Sequence, residues 1–205
     1  MPPAFQSIYE VYAHQKADLL LHLLSHQDDW KSTIVFLRNR DELHFLTTEL
    51  KHSGIRAESI SGSKKPELRE RALQELKNGS THVLLATEAV LRDTDLSEVE
   101  RIIQYDFPEL DRDYLDRVEK CSVEVTTFVT QNDRKNLDRL EELAGISLER
   151  KQAAQFSYDD QPRKLKAAHR KGQGANKTGS KPLQHKKPKL KNKGPRRKTG
   201  RTRKR

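Results

Sequence analysis

The chain has one cysteine in 205 residues, Cys121, so it forms no disulfide within itself and presents no cysteine cluster to a metal. Its eight histidines fall at no ligand-like spacing. No apolar run approaches the roughly 20 residues needed to span a bilayer. Met1-Pro2-Pro3-Ala4-Phe5 lacks the basic-then-apolar order of a secretory signal, which predicts a cytoplasmic protein. No GxxxxGKS/T segment occurs either, so the loop that cradles the phosphates of a nucleoside triphosphate is missing from this sequence. These absences set aside a disulfide scaffold, a metal site and a membrane protein.

What is present is unevenly spread. Residues 1–150 hold 20 Lys/Arg against 28 Asp/Glu, a net −8, and residues 151–205 hold 20 against 2, a net +18, together the +10 of the whole chain. An acidic body with a strongly basic tail points the tail toward a polyanion, and in a nucleated cell the same tail suits nuclear import. From about Gln161 the composition is Lys, Arg, Gly, Pro, Gln and Asn with almost no apolar residues. Such a segment cannot offset its ordering entropy by burial, so a disordered tail is expected over 151–205. Clusters such as Arg196-Arg197-Lys198 offer charge without aromatic rings for base stacking. They predict sequence-blind, salt-sensitive binding to RNA.

The body alternates two periodicities. Gln6–Ala13 alternates apolar and polar residues as an edge strand does, and Thr33–Leu37 and Val83–Thr87 are apolar runs suited to buried strands. Ala57–Ser61, Arg101–Phe107 and Val123–Thr130 complete the strands. Between them lie helical stretches at Ala17–Leu24, Asn39–Ser53, from Pro66 to Asn78-Gly79, Asp111–Val118 and Asn132–Ala144. Pro66 suits a first helical position and Gly54 a helix end. Strands alternating with helices of this length predict an α/β domain with a parallel sheet covered on both faces, ending near Ser147. The carboxyl ends of such strands are where ligands bind, so Thr87 is a candidate contact; equally, its hydroxyl suits the cap of a following helix.

The stretch VLLATEAVLRDTDL, starting at Val83, resembles the fifth motif of DEAD-box RNA helicases, and Ile102–Pro108 (IIQYDFP) resembles that family's VINYDLP. The similarity runs in motif order over about residues 5–147 and implies the second RecA-like domain of such a helicase. By that resemblance Thr87 touches an RNA phosphate and Asp95 the ATP ribose. Arg38, after the strand of TIVFLRNRDE, matches the fourth motif and faces a phosphate. Ser61–Leu73 matches HGxxxQxxRxxAL, keeping Gly62 and Arg69, with Ser61 in place of the histidine and Pro66 in place of the glutamine. Lys64 and Lys65 precede a helix start and suit a phosphate. Asp93 stands where the family has glycine, and its charge opposes RNA in that loop.

The sixth motif departs furthest. After Tyr114 the family reads VHRIGRTGRAGR, whereas this chain reads Leu115-Asp116-Arg117-Val118-Glu119-Lys120-Cys121-Ser122. The span from Tyr114 to Thr130 is roughly five residues short of the family pattern, the loss falling on its glycine- and arginine-rich turn. Arg117 is kept and Lys120 stands in for one arginine finger. A finger's planar fork is worth roughly 10³–10⁵ in rate, and lysine supplies only a point charge. The DEAD-type metal-binding acids are also missing from this sequence. The expectation is an RNA-binding, helicase-like chain without ATPase activity of its own. ATP and Mg²⁺ would bind only if a separate helicase domain completed the site, and a ribosome-associated role or a protein-interaction scaffold are the other readings.

Overall fold

The computed structural model describes residues 4–26, 32–62, 64–87, 90, 96 and 98–159. Their strands are β1 (Phe5–Glu10), β2 (Thr33–Leu37), β3 (Ala57–Ile60), β4 (Val83–Thr87), β5 (Arg101–Gln104), β6 (Glu124–Val129) and β7 (Glu149–Lys151). The helices are α1 (Lys16–His26, entered through a 3-10 turn at Ala13–Gln15), α2 (Arg40–His52), α3 (Pro66–Lys77), α4 (Asp111–Lys120) and α5 (Arg134–Ala144). Among the described residues the strands form one sheet in the order β3-β4-β2-β5-β6-β1-β7, and every pairing is parallel. No described helix is long and apolar enough to cross a membrane.

The topology follows from handedness. The connections β1–α1–β2 and β2–α2–β3 move one way along the sheet, and those through α3, α4 and α5 move the other way. If every crossover is right-handed, the two sets must cover opposite faces. The cores agree. Leu19, Leu20, Leu43, Leu46 and Leu50 of α1 and α2 meet Val35, Leu85 and Ile103 on one face. Ala72, Leu76, Tyr114, Val118, Leu137 and Leu140 of α3, α4 and α5 meet Ile34, Leu84, Ile102 and Val125 on the other.

Local chemistry sets the helix ends. The Asn39 side chain accepts from the Asp41 backbone N–H at 2.8 Å, a cap that starts α2. Pro66 occupies the first turn of α3. Gly54, at φ +80°, closes α2 in a backbone conformation that L side chains rarely adopt. The hydroxyl of Tyr114 donates to Gln6 Oε1 at 3.1 Å and ties α4 to β1.

Two features differ from the sequence reading. β1 is not an edge strand: it pairs with β6 on one side and with β7 on the other. Its alternating polar residues are used inside the fold, as when the Ser7 hydroxyl donates to Glu124 Oε1 at 3.1 Å. The folded body also continues past Ser147, where the sequence reading ended it. After β7, residues 152–159 fold back over α1, with Ala153 buried and Phe156 and Tyr158 packed against the α1/α2 core. Gln15 Nε2 donates to Ser157 O at 3.0 Å, the Asp159 N–H donates to Gln15 Oε1 at 3.0 Å, and His14 Nε2 lies 2.8 Å from Asp159 Oδ2.

Candidate nucleic-acid interface

Register places the predicted contacts. Leu37 pairs with Thr87 across β2 and β4, and Ile60 pairs with Ala86 across β3 and β4. Arg38, Thr87 and the turn through Ser61 and Gly62 therefore leave three adjacent strands at one edge of the sheet. Two strand spacings, about 10 Å, cover the whole group. Residues distant in sequence are thus gathered where a parallel sheet presents ligand-binding groups.

Arg38 is held there by contacts that leave it half-exposed. Its backbone N–H donates to Asp106 Oδ2 at 2.8 Å, Nη2 donates to Phe107 O at 2.8 Å, and Nη1 lies 3.5 Å from Glu109. Asp106 is also paired with the buried Lys16, whose ammonium lies 4.1 Å from the centroid of the Tyr105 ring. Tyr105 donates to Glu42 Oε1 at 2.7 Å, and burial, with that carboxylate, pushes its phenol far above its ordinary range. This Lys16–Asp106–Arg38 bracket was missed in the sequence. The DFP segment was legible as a motif, but its aspartate gave no sign of the strand end it would hold.

The loop before α3 is shaped by two of its own cations. Arg69 Nε donates to Lys64 O at 2.9 Å and Nη2 to Gly62 O at 3.1 Å, while Lys64 Nζ donates to Ser59 O. Arg69 and Lys64 thus set the backbone of the turn, and Lys65, at the N-cap of α3, is exposed. Gly62 is unlike Gly54, Gly79 and Gly145, which all have positive φ. A side chain at Gly62 would meet nothing within 4 Å, so neither backbone nor packing calls for glycine there. Thr87 ends β4 and is 9% exposed. Asp93 and Asp95, further along the same motif, lie outside the described residues, as do Arg196, Arg197 and Lys198.

α4 carries the backbone of the sixth motif away from this edge. It runs from the carboxyl end of β5 back toward the start of β6, and the thiol of Cys121 at its end donates to Glu100 O, just ahead of β5. Arg117, midway along, is 5% exposed. Its guanidinium sits 4.1 Å from the centroid of Phe36, and Nη1 donates to Gln104 Oε1 at 3.0 Å. Such a group binds the sheet to its helix and cannot reach a nucleotide without leaving the core. Lys120, near the opposite edge, lies 3.0 Å from Asp116 and is partly exposed. The structure therefore brings Arg38, Gly62, Lys64, Lys65, Arg69 and Thr87 to one edge, seals the Arg117 guanidinium just beneath it against Phe36 and Gln104 near the carboxyl ends of β2 and β5, and leaves Lys120 apart.

Residues 15–122 match the helicase conserved C-terminal domain family. The chain belongs to that family. Its relatives are DEAD-box RNA helicases. It is 37% identical over 113 residues to the ATP-dependent RNA helicase vasa of Drosophila melanogaster, covering 55% of this chain and 17% of vasa. With the DEAD-box ATP-dependent RNA helicase 36 of Oryza sativa it shares 31% over 157 residues, 69% of this chain and 31% of that protein. The chain thus spans less than a third of these relatives' length. In structure it resembles the E. coli DEAD-box protein SrmB, solved bound to regulator of ribonuclease activity A. That match has a TM-score of 0.72 at 23% identity, over 80% of this chain and 99% of that one. The C-terminal domain of the DEAD-box protein Dbp5 matches with a TM-score of 0.67 at 22% identity, over 72% and 90%. At such identities the likeness is one of fold, and it makes this helicase C-terminal domain RecA-like.

Proposed function

We propose that this chain is an RNA-binding, helicase-like protein that neither hydrolyses ATP nor unwinds RNA by itself. The observation that carries this reading is the contrast within the helicase motifs. Arg38, Thr87 and the Gly62–Arg69 loop share one edge, whereas Arg117 is sealed against Phe36 and Gln104. A buried guanidinium does not fit a γ-phosphate, and the missing phosphate loop leaves nothing in this sequence to hold one. The basic residues of 151–205, at +18, supply most of the affinity, because the body at −8 repels phosphate at long range outside its local basic group.

A salt titration of RNA binding tests this. If about six to ten charges meet phosphates, affinity falls roughly 10³–10⁵-fold between about 50 and 200 mM salt, less steeply on single strands. Removing residues 161–205 abolishes most binding and flattens the slope. A shortened protein that binds as tightly as the whole chain would overturn this division, and RNA-stimulated ATP turnover by the chain alone would overturn the inactive assignment.

A second reading is half of a helicase completed in trans by a first RecA-like domain, which would have to draw Lys120 away from its pairing with Asp116 at the end of α4. ATP and Mg²⁺ would enter only with that partner. In such a complex Lys120→Ala or Asp95→Ala would lower the reconstituted ATPase. An unstimulated mixture removes this reading.

A further inference from the structure

A crevice of about 480 Å³ opens at the carboxyl ends of β6, β1 and β7, and none of Arg38, Thr87 or the described residues of the 62–69 loop lines it. Its position has a topological cause. β6 leads into α5 on one face of the sheet, and its neighbour β1 leads into α1 on the other. Diverging connections leave a gap between strand ends, the general place where α/β sheets take ligands. The volume falls within the range of small-ligand sites.

The lining has a particular chemistry. Tyr12 forms one wall, its ring stacked on His14 at 5.8 Å between centroids and 9° between planes. His14 is fixed in turn by Asp159, 2.8 Å from its Nε2. Arg134, at the start of α5, and Arg150, on β7, flank Glu10 at 3.0 and 3.9 Å. The Arg134 side chain is 63% exposed even while paired. Gln131 and Gln152 add exposed amides at the mouth. An aromatic pair, guanidinium groups and amides able to both donate and accept are what a single unpaired nucleotide requires: a ring to stack on, a cation for its phosphate and partners for its base edge. A protein partner would want apolar anchors, and none of the large exposed apolar side chains among the described residues lines the crevice.

We infer that this crevice is a second nucleic-acid subsite, which takes one nucleotide of the same single strand that crosses the Arg38–Thr87–Gly62 edge. The inference rests on the reading of the chain as RNA-binding and adds the site to it. Both lie along the carboxyl edge of one sheet, β2 and β1 being three strand spacings apart, about 15 Å, a distance a few nucleotides bridge. Glu10 lies between the two arginines, Arg134 being paired with it and Arg150 held in place by Glu141, and the strap of residues 152–159 closes one wall through Asp159.

Photo-crosslinking of the full chain to 4-thiouridine-substituted single-stranded RNA, with the joined peptides mapped, tests the assignment. Crosslinks are expected at Tyr12 and at 131–134 on long RNA and not on strands too short to span both sites. Tyr12→Ala should weaken long-RNA binding about 5- to 100-fold, the equivalent of one lost stacked base. Tyr12→Phe should restore it, and the exposed Arg134→Gln should weaken long-RNA binding while leaving the melting temperature in place. Crosslinks confined to Arg38, the 62–69 loop and Thr87 would overturn the subsite and leave RNA binding standing. Crosslinks confined to residues 161–205 would remove a body site altogether. If Tyr12→Ala leaves RNA binding unchanged but abolishes retention of a protein partner, the crevice is a peptide site and the inference fails.

Discussion

The open carboxyl edge of this domain and the packed face beneath it show opposite fates for arginines drawn from the same set of motifs. At the carboxyl edge of β3, β4 and β2, Arg69 gives its hydrogen bonds to the backbone of its own loop and Arg38 to the Phe107 carbonyl after β5, and Arg38 stays half-exposed. Along α4, Arg117 turns inward, stacked on Phe36 and bonded to Gln104. One set orders a surface; the other holds a helix to the sheet. Keeping a motif's residue type therefore says nothing by itself about keeping its role. Where the surrounding turn is shortened, a cation can be recruited into packing, because a guanidinium with a ring beneath it and an acceptor at its side tolerates burial.

The largest expected effect comes from that burial. Arg117→Ala should destabilise the fold by about 2–4 kcal/mol, since it opens a cavity over Phe36 and leaves the Gln104 side-chain Oε1 without its donor. Urea denaturation measures it, and a variant within about 0.5 kcal/mol of the parent, the range of an ordinary surface change, would return Arg117 to the surface and break the contrast between edge and packed face.

A pair of glycine substitutions sharpens the contrast from the other side. Gly54→Ala forces an L side chain to φ +80° and should cost about 1–2 kcal/mol. Gly62→Ala meets no atom within 4 Å and no positive φ, so its stability should stay within about 0.5 kcal/mol. Its RNA affinity should still fall several-fold if a phosphate approaches the bare backbone. An unchanged affinity would mean that this turn is not part of the RNA surface.

The smallest effect is a pH dependence. The Arg150 side chain, together with the Leu148 N–H, holds the Glu141 carboxyl below its ordinary range. A lowered folded-state pKa stabilises the protein above the unfolded carboxylate pKa, and that contribution is lost as the pH falls through the folded value. Glu141→Gln should therefore lower the melting temperature near neutral pH and make little difference in acid. A penalty that persists unchanged in acid would point to packing in place of charge.

Much of the fold was legible because its signals are local. The 3.6-residue stripe of Leu43, Leu46 and Leu50, the apolar run at Val83–Thr87, Pro66 at a helix start and Gly54 at a helix end each depend on nearby residues. The motif order carried the family. β7 was missed because Glu149–Lys151 is three charged residues long, and only its pairing with Ser7–Tyr9 makes it a strand. For the same reason β1, polar on alternate residues, resembled an edge.

The sequence by itself determined an α/β body with helicase motifs, an acidic body charge and a basic tail, because composition, periodicity and motif order are properties of the chain alone. Tertiary structure decided which strand ends lie side by side, and so gathered Arg38, Gly62 and Thr87. It also decided that Arg117 would be sealed inside, and that residues near 10, 131 and 150 would enclose a crevice. Periodicity reports that a face is buried but not what buries it. Strand order, crossover handedness and the packing partner of each face are long-range choices, made only when segments more than a hundred residues apart meet, as β1 and β6 do.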